Sequence, residues 1–310
     1  MNKYYGLAAM AVVFLAACTE NEEIQNQGGT SLSIASASIE TISTKGLFDT
    51  GGGPLTTEAN IGVSASGTGY SYNNVEYYYN TTDSKWAPQS AANQIYLSDQ
   101  TATVTAYAPF TSGLTASAAS LTAQRYDETK DLCSSSASET AVNTDPSVIF
   151  TLSHVYSRIS FTINKDASYT GVGLISAIAI SNPTAVFTTA LADLTATPAP
   201  TLSSPVIGTV QYDPAIASIT SGTPAASSVL MIPASTFTDA TTLAFTVDGV
   251  VLTATLPATD PASGGLNILE PSHNYGITVT MRGTELIVSS ITVTDWTPQT
   301  VSGEILPVVP

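Results

Sequence analysis

The sequence predicts an all-β fold: two tandem β-sandwich domains behind an export signal. Three observations carry this expectation. Ser and Thr make up about a quarter of the 310 residues, whereas charged residues are only 10% and aromatics 8%. Thr, Val, Ile and Tyr suit a pleated, half-buried surface. Apolar residues fall in short alternating runs broken by Gly, Pro, Asn and Asp, the pattern of a sandwich. No stretch holds the helical period of about 3.6 residues over several turns, and no internal repeat is visible. The chain is long enough for two cores, since domains run to ~100–200 residues.

The N-terminus reads MNKYYGLAAMAVVFLAAC. Lys3 supplies a positive n-region, and Gly6 to Ala17 form an apolar run. That run is too short to span a bilayer, which takes ~20 residues, but it suits a signal peptide. It ends in Leu15-Ala16-Ala17-Cys18, a lipobox. Residues 1–17 are therefore expected to be removed, leaving Cys18 to carry the lipid. Diacylation or triacylation meets the requirement of more than one chain for stable anchoring. Residues 18–30 form a polar tether whose Glu20, Glu22 and Glu23 resemble the tag that sends lipoproteins of Bacteroidetes-type bacteria to the outer face of the outer membrane.

Beyond the tether, Ser31–Thr44 is the first expected strand, with Leu32, Ile34, Ile39 and Ile42 as its larger residues. Gly51-Gly52-Gly53-Pro54 reads as a loop, followed by strands at Val75–Asn80, Gln94–Leu97 and Ala102–Pro109. Tyr77, Tyr78, Tyr79 and Trp86 supply aromatic bulk for a first core. Period 2 puts Tyr77 and Tyr79 on one face and Tyr78 on the other.

Leu132–Pro146 is small, polar and ends in proline, so the domain boundary is placed there: 31–146 for the first domain and 147–310 for the second. Ser147–Asn164 then reads as one long strand whose apolar parity changes midway. Val148, Phe150 and Leu152 share one face, and Val155, Ile159, Phe161 and Ile163 the other. The flip predicts a bulge or a sheet switch near Ser153-His154. Further strands are expected at Gly173–Ile180, Ser228–Pro233, Thr242–Leu256, Asn274–Met281 and Glu285–Thr294.

The charge narrows function. Eight Lys+Arg against 24 Asp+Glu give −16, and losing Lys3 with the signal makes it −17. Such a chain repels phosphates, which argues against a nucleic-acid reader. With Cys18 acylated, Cys133 is left as a lone thiol and no internal disulfide is expected. Cys133 reads as a small apolar residue, with no neighbouring His or Lys in sequence to activate it. His154 and His273 belong to no HExxH or CxxC pattern, so a zinc site would need carboxylates the sequence does not reveal. His154 reads as a structural residue at the parity change. There is no P-loop, GxSxG or SxxK. No enzyme activity, cofactor or metal is expected.

The ordered set of motifs resembles the fimbrillins, the Mfa-like and FimA-like lipoprotein pilins of type V pili. The lipobox and acidic tether are followed by a strand ending in Thr44-Lys45-Gly46. Next come Lys85-Trp86-Ala87-Pro88, Val104-Thr105-Ala106-Tyr107-Ala108-Pro109, and Leu152-Ser153-His154-Val155-Tyr156-Ser157-Arg158-Ile159. The last of these resembles the family's H-x-x-A-K/R strand, with Ser157 where Ala is commoner. Val229–Pro233, Leu269–Tyr275 and Ile291–Trp296 complete the order.

The resemblance implies two tandem transthyretin-like, Greek-key sandwiches that assemble into a surface fimbria by strand exchange. A trypsin-like Arg/Lys-specific protease would cut between Lys45 and Gly46, although Arg is the usual residue at that position. The first strand and its lipid would then leave, and a strand from a neighbouring pilin would fill the groove. Arg125 is a competing site whose cleavage would split the first domain. The donor would be the tail beyond Trp296, with Val301, Ile305, Leu306, Val308 and Val309 as apolar pegs. Pro307 and Pro310 interrupt its hydrogen-bonding capacity. Expected partners are other pilin subunits, the outer membrane through Cys18, the protease, and a host or bacterial surface ligand. The alternative is a surface glycan-binding lipoprotein of a nutrient-uptake system, which would keep its lipid and display aromatics.

Overall fold

The computed structural model describes residues 29–39, 60–238, 240–256 and 268–295. Within them the chain is nearly all β, with three single-turn 3₁₀ segments at Ala91–Asn93, Ala116–Ala118 and Glu128–Lys130. None of the helices is long and apolar enough to cross a membrane among the described residues.

An eight-stranded sheet forms the first unit. Its strands are β2 (Ser33–Ile39), β3 (Ile61–Gly67), β4 (Tyr70–Asn80), β5 (Lys85–Pro88), β7 (Ala102–Ala108), β10 (Cys133–Ser135), β11 (Glu139–Ala141) and β12 (Ser147–His154). The order is β2-β12-β10-β7-β3-β4-β5, with β11 also on β7. The two ends, β2 and β5, lie against each other, so the sheet curls round its own core. A short pair, β1 (Thr30–Ser31) with β6 (Tyr96–Leu97), sits beside it.

Alternation explains this core. Val148, Phe150 and Leu152 of β12 are buried, while Ile149 between them is 55% exposed. Tyr77 and Trp86 are buried as well, and Tyr79 meets Trp86 edge-on across the β4–β5 pair with centroids 5.7 Å apart. These aromatics pack the first core, as their period anticipates.

Two sheets packed face to face form the second unit. One has the order β22 (Glu285–Asp295), β21 (His273–Arg282), β13 (Ser157–Lys165), β18 (Ala225–Met231), β9 (Gln124–Arg125). The other runs β17 (Thr209–Tyr212), β14 (Ile175–Ser181), β19 (Thr242–Val247), β20 (Val250–Thr255). Phe161 of β13 meets Phe245 of β19 edge-to-face at 5.7 Å between the layers. Offset and edge arrangements of this kind are favoured by the ring quadrupoles.

A three-stranded sheet, β16 (Thr201–Ile207), β15 (Phe187–Asp193) and β8 (Ala119–Thr122), covers the junction. Beneath it Tyr107, Leu121, Val155, Tyr156, Leu230 and Ile232 form a third apolar cluster.

The parity change resolves as a sheet switch. β12 ends at His154 in the first sheet, buried Val155 and Tyr156 follow, and β13 begins at Ser157 in the five-stranded sheet. The sheet exchange therefore falls at Val155-Tyr156, inside the segment expected to belong wholly to the second domain. The polar stretch 132–146, expected as the boundary, carries β10 and β11 of the first sheet. Its serines are small enough to pack there: Ser135 Oγ accepts from the Ala106 amide at 2.7 Å. The expected single strand Thr242–Leu256 is instead the β19–β20 hairpin. Asp248 (φ 49°) and Gly249 (φ 81°) form its turn, the Asp-Gly pair that a tight hairpin demands.

Candidate functional site

The sheet edge at β2 is the candidate site, because an edge strand held by one ladder can be exchanged. Hydrophobic pattern puts it there. Leu32, Ile34 and Ala37 are buried, while Ser33 and Ala35 face outward. The step from Ile34 to Ala37 spans three residues, which would break alternation in a regular strand. A bulge restores it: Ile34 lies opposite Val148 and Ser36 opposite Ile149, leaving Ala35 as the extra residue. Ala37 then faces inward opposite Phe150, and Ile39 stands opposite Leu152.

β2 pairs in parallel with β12 and with no other strand among the described residues. Its entry is pinned by Leu32 N–H donating to Ile95 O and Ser33 N–H to Pro146 O, both at 2.9 Å. The Gln94 amide donates to Leu32 O at 3.4 Å and to the Tyr77 hydroxyl at 3.2 Å, tying the strand to β4. Desolvation pushes the Tyr77 phenol up to about 12, so it stays neutral in this contact. Burying Leu32 and Ile34 contributes on the order of 3–6 kcal/mol gross. Withdrawing β2 would uncover Val148, Phe150 and Leu152 together with the backbone edge of β12.

The residues named for cleavage, lipidation and donation lie outside the described residues. These are Cys18, Lys45 and Gly46 on one side and Val301, Ile305, Leu306 and Val308 on the other. The described part of the first strand ends at Ile39, six positions before Lys45. Arg125, the competing protease position, lies in β9 opposite Val229, where its backbone is engaged in the ladder.

Only one group of described residues brings three metal-capable side chains together: Asp131, Cys133 and His154, with ligand atoms within 4.8 Å of one another. Sequence reasoning missed it, because the three are brought together only by the β10–β12 register. Burial pushes the Cys133 thiol up. Burial is the largest single influence on His154 and works against its charge, but Asp131 and Cys133 together outweigh it and raise the imidazole well above its ordinary value. His273 lies elsewhere, with Nδ1 2.9 Å from Pro271 O. Among the described residues the large exposed apolar side chains are all aliphatic, including Val172, Val206, Val250, Val251 and Ile268.

A family model described as fimbrillin-like matches residues 51–296. Among solved structures, a candidate cell adhesion protein from Bacteroides uniformis is similar at 20% identity and a TM-score of 0.61, covering 87% of this chain and 100% of that one. A second, from Bacteroides ovatus, is similar at 15% identity and a TM-score of 0.62, over 88% and 99% of the two chains. A fimbrial protein from Bacteroides vulgatus aligns at 13% identity and a TM-score of 0.51, over 87% and 99%. At these identities the likeness is one of fold. No match is found among curated protein sequences.

Proposed function

The chain belongs to the fimbrillin-like family, and from that premise we propose that it is a structural or adhesive subunit of a surface fimbria. It reaches the outer membrane as a lipoprotein on Cys18 and assembles by protease-triggered strand exchange. It acts through binding and carries out no catalysis.

The observation that supports this reading is the position of β2. It is the first described strand of its sheet, lies at the edge, and contributes apolar side chains to the core. A trypsin-like protease cutting after Lys45 detaches residues 18–45 and the lipid with them. The vacated edge offers an unpaired row of N–H and C=O groups beside apolar pockets, the requirement for β-augmentation. An incoming tail with Val301, Ile305, Leu306 and Val308 supplies matching pegs. Carrying its own strand until cleavage protects the subunit from edge-to-edge aggregation.

Limited digestion of the full chain with a Lys/Arg-specific protease tests this. The expected result is one early cut after Lys45, followed by filaments and SDS-resistant ladders, both abolished in Lys45→Ala. Chains that stay intact and monomeric overturn the reading, and glycan-array binding then tests the nutrient-uptake alternative.

A further inference from the structure

We propose that Asp131, Cys133 and His154 form a binding site for a divalent transition metal ion of the zinc class, locking the point where the chain leaves the first sheet. Cys133 and His154 are opposite residues in the antiparallel β10–β12 pair, which sets thiol and imidazole side by side. Asp131 precedes Cys133 by two positions, just after the 3₁₀ turn Glu128–Lys130.

The spacings approach those of a tetrahedral ion whose fourth position is taken by water. Metal–ligand bonds of about 2.0–2.3 Å require ligand atoms roughly 3.3–3.6 Å apart. Cys133 Sγ lies 3.5 Å from His154 Nδ1. Asp131 Oδ1 and Oδ2 lie 3.1 and 3.0 Å from that same nitrogen. An ion seated among them parts the Asp131 and His154 atoms by a few tenths of an ångström and draws in the rest of the group, which spans at most 4.8 Å. Asp131 and Cys133 are 3% and 0% exposed, and the His154 side chain is 11% exposed, which leaves a narrow approach.

The donor set selects the ion. One thiolate, one imidazole and one carboxylate suit zinc or cobalt, whereas calcium and magnesium take oxygen ligands. Two anionic ligands neutralise a divalent ion, which removes the cost of burying a net charge. Cys133 binds as thiolate and His154 as neutral imidazole, and the protons they release pass to the buffer. The metal-free site is not left uncompensated, because Arg158, stacked over the Tyr126 ring at 4.7 Å, also interacts with the Asp131 charge.

Position gives the site its role. Ser272 holds the same junction, its Oγ donating to His154 O and its N–H to Tyr156 O, both at 3.0 Å. β12 is also the strand that carries β2, so an ion here stiffens the floor of the exchange groove. The metal site does not depend on the fimbrial reading, and its test does not involve assembly.

The test is cobalt titration of the metal-stripped full chain, followed by zinc competition. The expected result is one equivalent bound, with a thiolate-to-cobalt charge-transfer band that zinc abolishes. Cys133→Ser removes the band, His154→Ala lowers affinity at least tenfold, and His273→Ala changes neither. Absence of the band in the unmodified chain overturns the proposal whatever the variants do. A band that persists in Cys133→Ser comes from another thiol and overturns it equally.

Discussion

Ile34 and Val148 stand opposite each other across a parallel ladder, both turned into the core and 5% and 1% exposed. This contact joins the first strand to the strand that would remain after its departure. In the proposed strand exchange this pair is parted and then replaced.

Shortening Ile34 to Ala removes one of the pegs that hold β2 down. Buried Ile→Ala changes cost ~2–5 kcal/mol, and an edge position that can relax belongs at the lower end of that range. Ile34→Ala should lower the urea midpoint and speed cleavage after Lys45. Ile149→Lys, one position from Val148 but 55% exposed, should stay within about 0.5 kcal/mol. Equal effects from the two changes would contradict the assigned facing.

Gly62 on β3 leaves room for the Tyr107 ring, and an added Cβ would collide with that ring and approach Asn74 Oδ1. The Tyr107 hydroxyl donates to Asn74 Oδ1 at 2.6 Å, so the ring is not free to swing away. Gly62→Ala should therefore cost ~1–3 kcal/mol, the usual overpacking penalty. Thermal unfolding measures it, and an unchanged melting temperature would argue against this packing.

Asp248, in the β19–β20 turn, accepts from Gly173 N–H and Leu174 N–H at 2.9 Å and from the Tyr169 hydroxyl at 2.9 Å. The Gly173 amide is the main cause holding its carboxyl below the ordinary range, helped by Leu174 and Tyr169. A depressed carboxylate contributes stability above its unfolded pKa and loses it as pH falls through the folded one. The contribution is thus present at neutral pH and fades below about pH 4. Because the group is exposed, it is worth less than ~1 kcal/mol. In urea titrations across pH, Asp248→Asn should lose that much at neutral pH and nothing at pH 2. A difference that grows toward acid would contradict the sign.

Strong periodicity made parts of the fold legible in sequence. The parity flip between Leu152 and Val155 announced the sheet switch, because a strand buried on opposite faces in turn must change sheets. Other strands were hidden for physical reasons. β16 contains Pro205 and exposes Val206 and Ile207, and its pairing with β15 shifts register twice. Those features erase the period-2 signal. β3, IGVSASG, is built from small residues whose burial depends on Tyr107 filling the space beside Gly62. The apolar face of the first strand was readable from Leu32 and Ile34, but the bulge at Ala35 that turns Ala37 inward was not. The Asp131–Cys133–His154 group was invisible, since residues 21 and 23 positions apart meet only through cross-strand register.

Hydrogen exchange along β12 tests strand replacement most directly. The amides of Ser147–Leu152 are to be followed in the intact chain, after cleavage at Lys45, and after adding a peptide of residues 297–310. The account predicts slow exchange in the intact chain, fast exchange once β2 has been released, and recovered protection with the peptide. Protection that is unaffected by cleavage, or that the peptide fails to restore, would contradict it.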